Sequence, residues 1–173
     1  KKLKDGFELG VHIADVGEYV KVGTVFDDEA YKRGTSVYFP TSVLPMLPKG
    51  LSNGICSLNE GVERLTLSCI MKIDFNGKVV DYKICESVIK SVARLTYKEV
   101  YEAINGEKLN VKTKPLKKDF LIMRELCDIL ENNTSKRGAL DLEIPEVQFV
   151  FDDNGMAVDI KRRERNAAHR LIE

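Results

Sequence analysis

The run LTLSCIMKIDFNGKVVDYKICESVI, residues Leu65 to Ile89, sets the fold class. It holds two stretches rich in strand-forming residues, Leu65 to Asp74 and Lys78 to Ile89, that meet at Asn76-Gly77. Asn-Gly between two such stretches is the strongest short hairpin signal, because both residues tolerate the positive φ of a tight turn. Upstream, Phe7 to Val16 reads as a largely buried strand interrupted by His12 and Asp15 and ending in a turn near Gly17. Phe26 to Arg33 reads as a short helix stopped by Gly34, with Asp27, Asp28 and Glu29 at the end where the helix dipole favours acids. Pro40, Pro45 and Pro48 then force an irregular connection, since proline suits neither a helix interior nor a sheet ladder. That connection is also apolar (Val37, Phe39, Val43, Leu44, Met46, Leu47) and is expected to pack against something.

Downstream, Thr96 and Glu99 form a capping box ahead of a helix through about Asn105, with Gly106 as its stop. A longer helix, roughly Lys117 to Asn133, follows Pro115 and places Phe120, Leu121, Met123, Leu126, Cys127 and Leu130 at helical spacing. A second hairpin, Glu146 to Phe151 and Met156 to Ile160, turns at Asp152-Asp153-Asn154-Gly155, and a last helix is expected to start near Glu164. The order predicts one α/β (α+β) domain over residues 1–173, a mixed, largely antiparallel sheet with flanking helices. The first strand begins almost at once and the last residue falls within a predicted helix, so both ends read as cut.

Composition narrows the function classes only a little. The apolar share of 43% and charged share of 31% are those of an ordinary soluble domain. No apolar run approaches the ~18–20 residues that span a bilayer, and the first residues carry no signal-peptide core, so a cytoplasmic protein with no membrane partner is expected. Cys56, Cys69, Cys85 and Cys127 contain no CxxC pair and read as reduced thiols, three of them in apolar, strand-like or core-like surroundings. The charge is balanced, 27 basic against 27 acidic residues. Sequence-independent nucleic-acid binding usually brings a basic excess, so charge alone does not point to RNA. The local basic clusters Lys1 to Lys4, Lys112 to Lys118 and Lys161 to Arg165 read first as solvated faces. P-loop, GxGxxG, GxSxG and HExxH patterns are all missing, and two histidines, His12 and His169, exclude a histidine-rich metal centre.

What the chain does contain is a set of phrases in a fixed order. Leu9 to Val16 (LGVHIADV), Arg33 to Pro40 (RGTSVYFP), Pro45 to Pro48 (PMLP), Leu51 to Leu58 (LSNGICSL) and Arg64-Leu65-Thr66 come first. Ala93 to Tyr97 (ARLTY), Arg137 to Asp141 (RGALD) and Arg165 to Glu173 (RNAAHRLIE) follow. Together they resemble the RNase II / RNase R (RNB-domain) family across essentially the whole chain, nearer to RNase R in wording. The resemblance implies an internal fragment of an RNB exoribonuclease catalytic domain. The parent enzyme would degrade single-stranded RNA processively from the 3′ end to nucleoside 5′-monophosphates, without specificity for DNA.

The resemblance also implies Mg²⁺ held by carboxylates that activate water and steady the leaving oxygen. Those acids belong to a family stretch of the form DxxxxxDxDD, which this sequence lacks. No metal ligand is therefore assigned on the chain, no metal is expected to bind the fragment, and the fragment is expected to be inactive alone. Asp152-Asp153 sit in a hairpin turn, where acids are expected for backbone reasons. By the resemblance, Tyr38 stacks on a nucleotide toward the cavity entrance and Tyr97 on the base at the 3′ end. Leu142 stands where RNase II has the phenylalanine that clamps that base, so an aliphatic cap would replace an aromatic sandwich. Glu173 matches a catalytic-site glutamate at the cavity floor, near the scissile phosphate. Asp15 is expected beside the missing metal acids, or else to satisfy a neighbouring loop or cap. Stacking suits a nuclease that reads no sequence, since every base has a π-face and a stack contributes about 1–3 kcal/mol. A non-catalytic RNA-binding or interaction module on the same scaffold is the alternative. Core exposed at cut ends would favour self-association.

Overall fold

The computed structural model describes residues 1–140, 147–162 and 165–173. Its contacts divide the chain into two compact units: Lys1–Phe7, Ile73–Lys78 and Leu95–Glu173 form the first, Glu8–Lys72 and Val79–Arg94 the second. Helices and antiparallel strands alternate as the hairpin and capping signals predict.

Strand β1 (Gly6–Ala14) leads into α1 (Val16–Tyr19), a single helical turn where the sequence suggested only a bend near Gly17. Helix α2 (Val25–Arg33) starts at Thr24, whose hydroxyl accepts the Asp27 N–H, and stops at Gly34 in the left-handed conformation. Two-residue strands β2 (Val37–Tyr38) and β3 (Val43–Leu44) pair antiparallel, and a π-helical turn spans Gly50–Ile55. Strands β4 (Glu63–Asp74) and β5 (Val79–Lys90) form the long hairpin, and with β1 they make a three-stranded sheet in the order β1-β4-β5. Helices α3 (Tyr97–Asn105) and α4 (Lys117–Lys136) follow, then the antiparallel pair β6 (Val147–Phe151) and β7 (Ala157–Arg162), and α5 (Ala167–Arg170). No helix among the described residues is long and apolar enough to cross a membrane.

The hairpin turn shows why the sequence reads so clearly there. The Asp74 carboxylate accepts the N–H groups of Asn76 and Lys78, both at 2.9 Å, while the Asp74 N–H donates to the Lys78 carbonyl. Gly77 takes φ +78°, a conformation that costs a side-chain-bearing residue free energy. Asp152 repeats this arrangement in the second hairpin, its carboxylate accepting from Asn154 and Met156. The acids of that turn serve the backbone, as the sequence suggested.

In the first unit, Phe7 is buried edge-to-face against Phe75, with ring centroids 5.6 Å apart. Lys2 lies over both rings and pairs with Glu125 of α4. Helix α4 buries Phe120, Leu126 and Cys127 and leaves Leu121 and Met123 exposed, so its apolar stripe is narrower than the composition of the run suggests. It also runs one turn past Asn133. The small side chains Ala103 on α3 and Ala167 and Ala168 on α5 are all buried, which lets those two short helices pack closely.

In the second unit, several expectations give way. Strand β1 is buried only at its start; Val11 is 41% and Ile13 67% exposed. Alternation puts these side chains on a sheet face that no described element of the unit covers. The proline-rich segment is not packed away either, for Val37, Phe39, Val43 and Leu44 are all exposed on the small β2–β3 ribbon. The interior is instead a hydroxyl network. Thr66 and Ser68, both about 1% exposed, bond to each other and to Ser87, and Ser68 Oγ lies 2.6 Å from His12 Nδ1. Burying hydroxyls costs little when each finds a partner, as these do. His12 is thus a hydrogen-bonded, half-buried histidine. All four cysteines are free, but only Cys127 is buried, so the expectation of apolar surroundings holds fully for that one alone.

The last helix also moves. It begins at Ala167, not near Glu164, because Asn166 supplies the N-cap by accepting the Ala168 N–H. Glu164 itself, like Leu142, lies outside the described residues.

Candidate functional site

Tyr97 is the first residue of α3, and its place is fixed by the cap beside it. Thr96 Oγ1 accepts the Glu99 N–H, while Glu99 Oε2 accepts from the Thr96 N–H at 2.8 Å and from the Thr96 hydroxyl at 2.9 Å. Glu99 Oε1 accepts from Asn110 Nδ2 at 2.9 Å. Those Thr96 bonds, then the Asn110 bond and nearby Lys112, hold the Glu99 carboxyl below the usual carboxylate range. Asn110 in turn orders the loop after α3, accepting from Lys112 and Thr113.

The Tyr97 ring is 40% exposed, and its covered face meets His169 of α5. The centroids are 4.0 Å apart and the planes differ by 17°, a parallel stack. The histidine is itself tied down: Asn166 donates its backbone N–H to His169 Nδ1 at 3.2 Å, and Asn166 Oδ1 lies 3.0 Å from the same nitrogen. Glu173 hangs from the same residue, its N–H donating to the His169 carbonyl at 3.3 Å. Both Glu173 carboxylate oxygens meet the Arg165 guanidinium, through Nε at 3.0 Å and through a close contact from Nη2. Bidentate pairing fixes the carboxylate's direction as well as its charge. Below this, Cys127 Sγ donates to the Arg170 carbonyl, and burial pushes the thiol pKa up. Through that bond Cys127 packs against the α5 segment.

Of the residues singled out from the sequence, Tyr97 and Glu173 thus share one unit and are linked through His169. Tyr38 and Asp15 belong to the second unit. Tyr38, on β2, is 78% exposed and faces Val43 in register. Asp15 caps α1, its Oδ1 accepting the Glu18 N–H at 3.2 Å, and its own N–H donates to the Leu65 carbonyl. It also lines a shallow cavity with Glu18, Thr66, Glu86 and Ser87. Among the described residues no three His, Cys, Asp or Glu side chains gather as a metal-ligand set. The described residues therefore do not fit the Mg²⁺ centre that the resemblance implies.

Two partners escaped the sequence reading. His169 carries no role in the sequence reading beyond excluding a histidine-rich metal centre, although Asn166 three residues earlier is a capping signal that fixes it. Arg165 looked like part of a solvated basic run, and its pairing with Glu173 follows no helical spacing that periodicity could reveal.

The chain belongs to the RNB domain family, whose match covers residues 1–173. It is 50% identical over 175 residues to Ribonuclease R of Thermotoga maritima, covering 100% of this chain and 25% of that protein. The solved structure of Mycoplasma genitalium RNase R in complex with ribose-methylated single-stranded RNA superposes with a TM-score of 0.93 at 31% identity, covering 99% of this chain and 27% of that one. The same protein in complex with double-stranded RNA gives 0.94 at 31% identity, covering 99% and 31%. The chain spans about a quarter of the length of the curated relatives it matches.

Proposed function

We propose that this chain is the RNA-holding portion of the catalytic domain of a 3′-to-5′ exoribonuclease of the RNase R kind. The parent protein releases nucleoside 5′-monophosphates from single-stranded RNA. The observation that carries the reading is the RNB domain match along the entire chain. Relatives named Ribonuclease R, and an RNase R solved with RNA, support it.

In this reading the open face of Tyr97 takes the base at the 3′ end, and Tyr38 takes a base nearer the cavity entrance. Stacking is tolerant of sequence, which suits an enzyme that must pass every nucleotide. Glu173, oriented by Arg165, lies near the scissile phosphate, where the guanidinium also offsets phosphate charge. Leu142, outside the described residues, is the residue this reading assigns to the terminal base in place of an aromatic partner. Any Mg²⁺ of the parent enzyme would be held by carboxylates that this sequence does not supply, and would there serve to activate water. The enzyme works in the cytoplasm, in keeping with four free cysteines.

The test uses single-stranded RNA labelled at its 5′ end, with Mg²⁺. The full-length protein is expected to shorten it stepwise from the 3′ end and release monophosphates, while this chain alone releases none. Internal cleavage or intact RNA with the full-length protein would overturn the exoribonuclease reading and favour a non-catalytic module. Robust degradation by this chain alone would overturn the account of the missing acids.

A further inference from the structure

The stack of His169 on Tyr97 is not a loose surface contact, and its construction gives it a role. We infer that His169 is a positioning residue for RNA, a ring that backs Tyr97 so that its opposite face is held ready for a base. The inference rests on the function proposed above.

Three observations carry it. The rings lie 4.0 Å apart and nearly parallel, so one face of Tyr97 is occupied and incoming rings have only the other. The histidine cannot swing aside cheaply, because it rides on a turn that Asn166 caps through the Ala168 N–H, with Nδ1 against Asn166 as acceptor from its N–H or donor to its Oδ1 according to the tautomer. The α5 segment that carries it is anchored by buried Ala167 and Ala168. A ring fixed in this way is a support, not a lid.

The same residue also sets the spacing of the site. Its ring backs Tyr97, and its carbonyl accepts the Glu173 N–H. A shift of α5 would therefore move the base platform and the glutamate together. Preorganisation of this sort strengthens binding by removing the ordering cost that a free tyrosine pays when a base arrives.

The position needs a ring more than it needs a hydrogen bond, and two substitutions separate these. In the full-length protein, His169→Phe keeps the ring and loses the nitrogen, whereas His169→Gln keeps a polar group and loses the ring. His169→Gln is expected to raise KM for short single-stranded RNA about 3- to 10-fold with kcat changed less than about 2-fold. His169→Phe is expected to restore KM to within about 2-fold of the unsubstituted protein. In a Tyr97→Ala background, His169→Gln is expected to add less than about 2-fold, since the ring it supports is gone.

If the unsubstituted protein degrades RNA but His169→Gln leaves KM unchanged, the positioning role is lost and the functional reading stands. The reverse order, with Gln tolerated and Phe impaired, or effects that multiply in the double variant, would reduce His169 to a helix cap. An unsubstituted protein that leaves RNA intact would sink both. Should His169→Gln fail to fold, His169→Phe decides alone: a folded variant with KM raised beyond about 3-fold overturns the inference.

Discussion

Tyr97 and Tyr38 are given the same work by the proposed function, and the two units hold them in opposite ways. Tyr97 starts a helix with a complete capping box, rests on a histidine and is 40% exposed. Tyr38 sits on a two-residue strand, 78% exposed, beside Phe39 and Leu44 that are themselves half open. A base that meets Tyr97 finds a ring already oriented. One that meets Tyr38 must order the ring as it binds, at a cost of about 0.5–1.5 kcal/mol for a side chain of this kind. The difference teaches that residues of one type and one role need not contribute equally; the support behind the ring sets its share.

The comparison is open to attack. The largest effect is expected from Tyr97→Ala in the full-length protein, which should weaken single-stranded RNA binding by about 1–3 kcal/mol, roughly 5- to 150-fold, in a fluorescence anisotropy titration. Tyr38→Ala should cost less, below about 1 kcal/mol. Equal losses, or a larger one at Tyr38, would break the argument from preorganisation. Next comes Thr96→Ala, which removes the N-cap of α3 and should lower the stability of the helical unit by about 1 kcal/mol in denaturant unfolding. RNA binding should weaken with it, because the cap aims Tyr97.

The smallest effect is one of pH. The folded Glu99 carboxyl titrates below its usual value near 4.5, chiefly through its bonds to Thr96. A carboxyl lowered in the folded state stabilises the fold above its unfolded pKa and stops doing so as pH falls through the folded value. The α3 cap should therefore weaken only below about pH 4.5, and Glu99→Gln should flatten that part of the stability–pH curve. Since Glu99 is on the surface, added salt should shrink the effect. A Glu99→Gln curve that keeps the same acid limb would show that the cap does not depend on this charge.

Much of the architecture was legible because it is written in local chemistry. Asp74-x-Asn76-Gly77 and Asp152-x-Asn154-Gly155 close the same kind of turn by the same bonds, with no help from distant residues. Thr96 with Glu99 gave the start of α3, and Gly106 its end. What the local signals missed is equally local in cause. An expected start near Glu164 lies too early for α5, because the cap at Asn166 sits two residues further on. The burial of β1 and of the proline-rich ribbon was overestimated, since an apolar run states a preference and not which surface will cover it.

The candidate site divides along the same line. The sequence by itself determined the family, the two hairpins, the capped helix that begins at Tyr97, and the lack of a DxxxxxDxDD acid run. It did so because turns, caps and motifs are fixed by residues within a few positions of one another. Only the tertiary structure decided that His169 backs Tyr97 and that Arg165 holds Glu173. It also set the two turns apart: a Cβ at Gly77 would lie 2.5 Å from Asn133 Nδ2, whereas one at Gly155 would meet nothing within 4 Å. Such contacts join residues far apart in sequence or at no regular spacing, so neither periodicity nor propensity carries them; they exist only once the helices have packed.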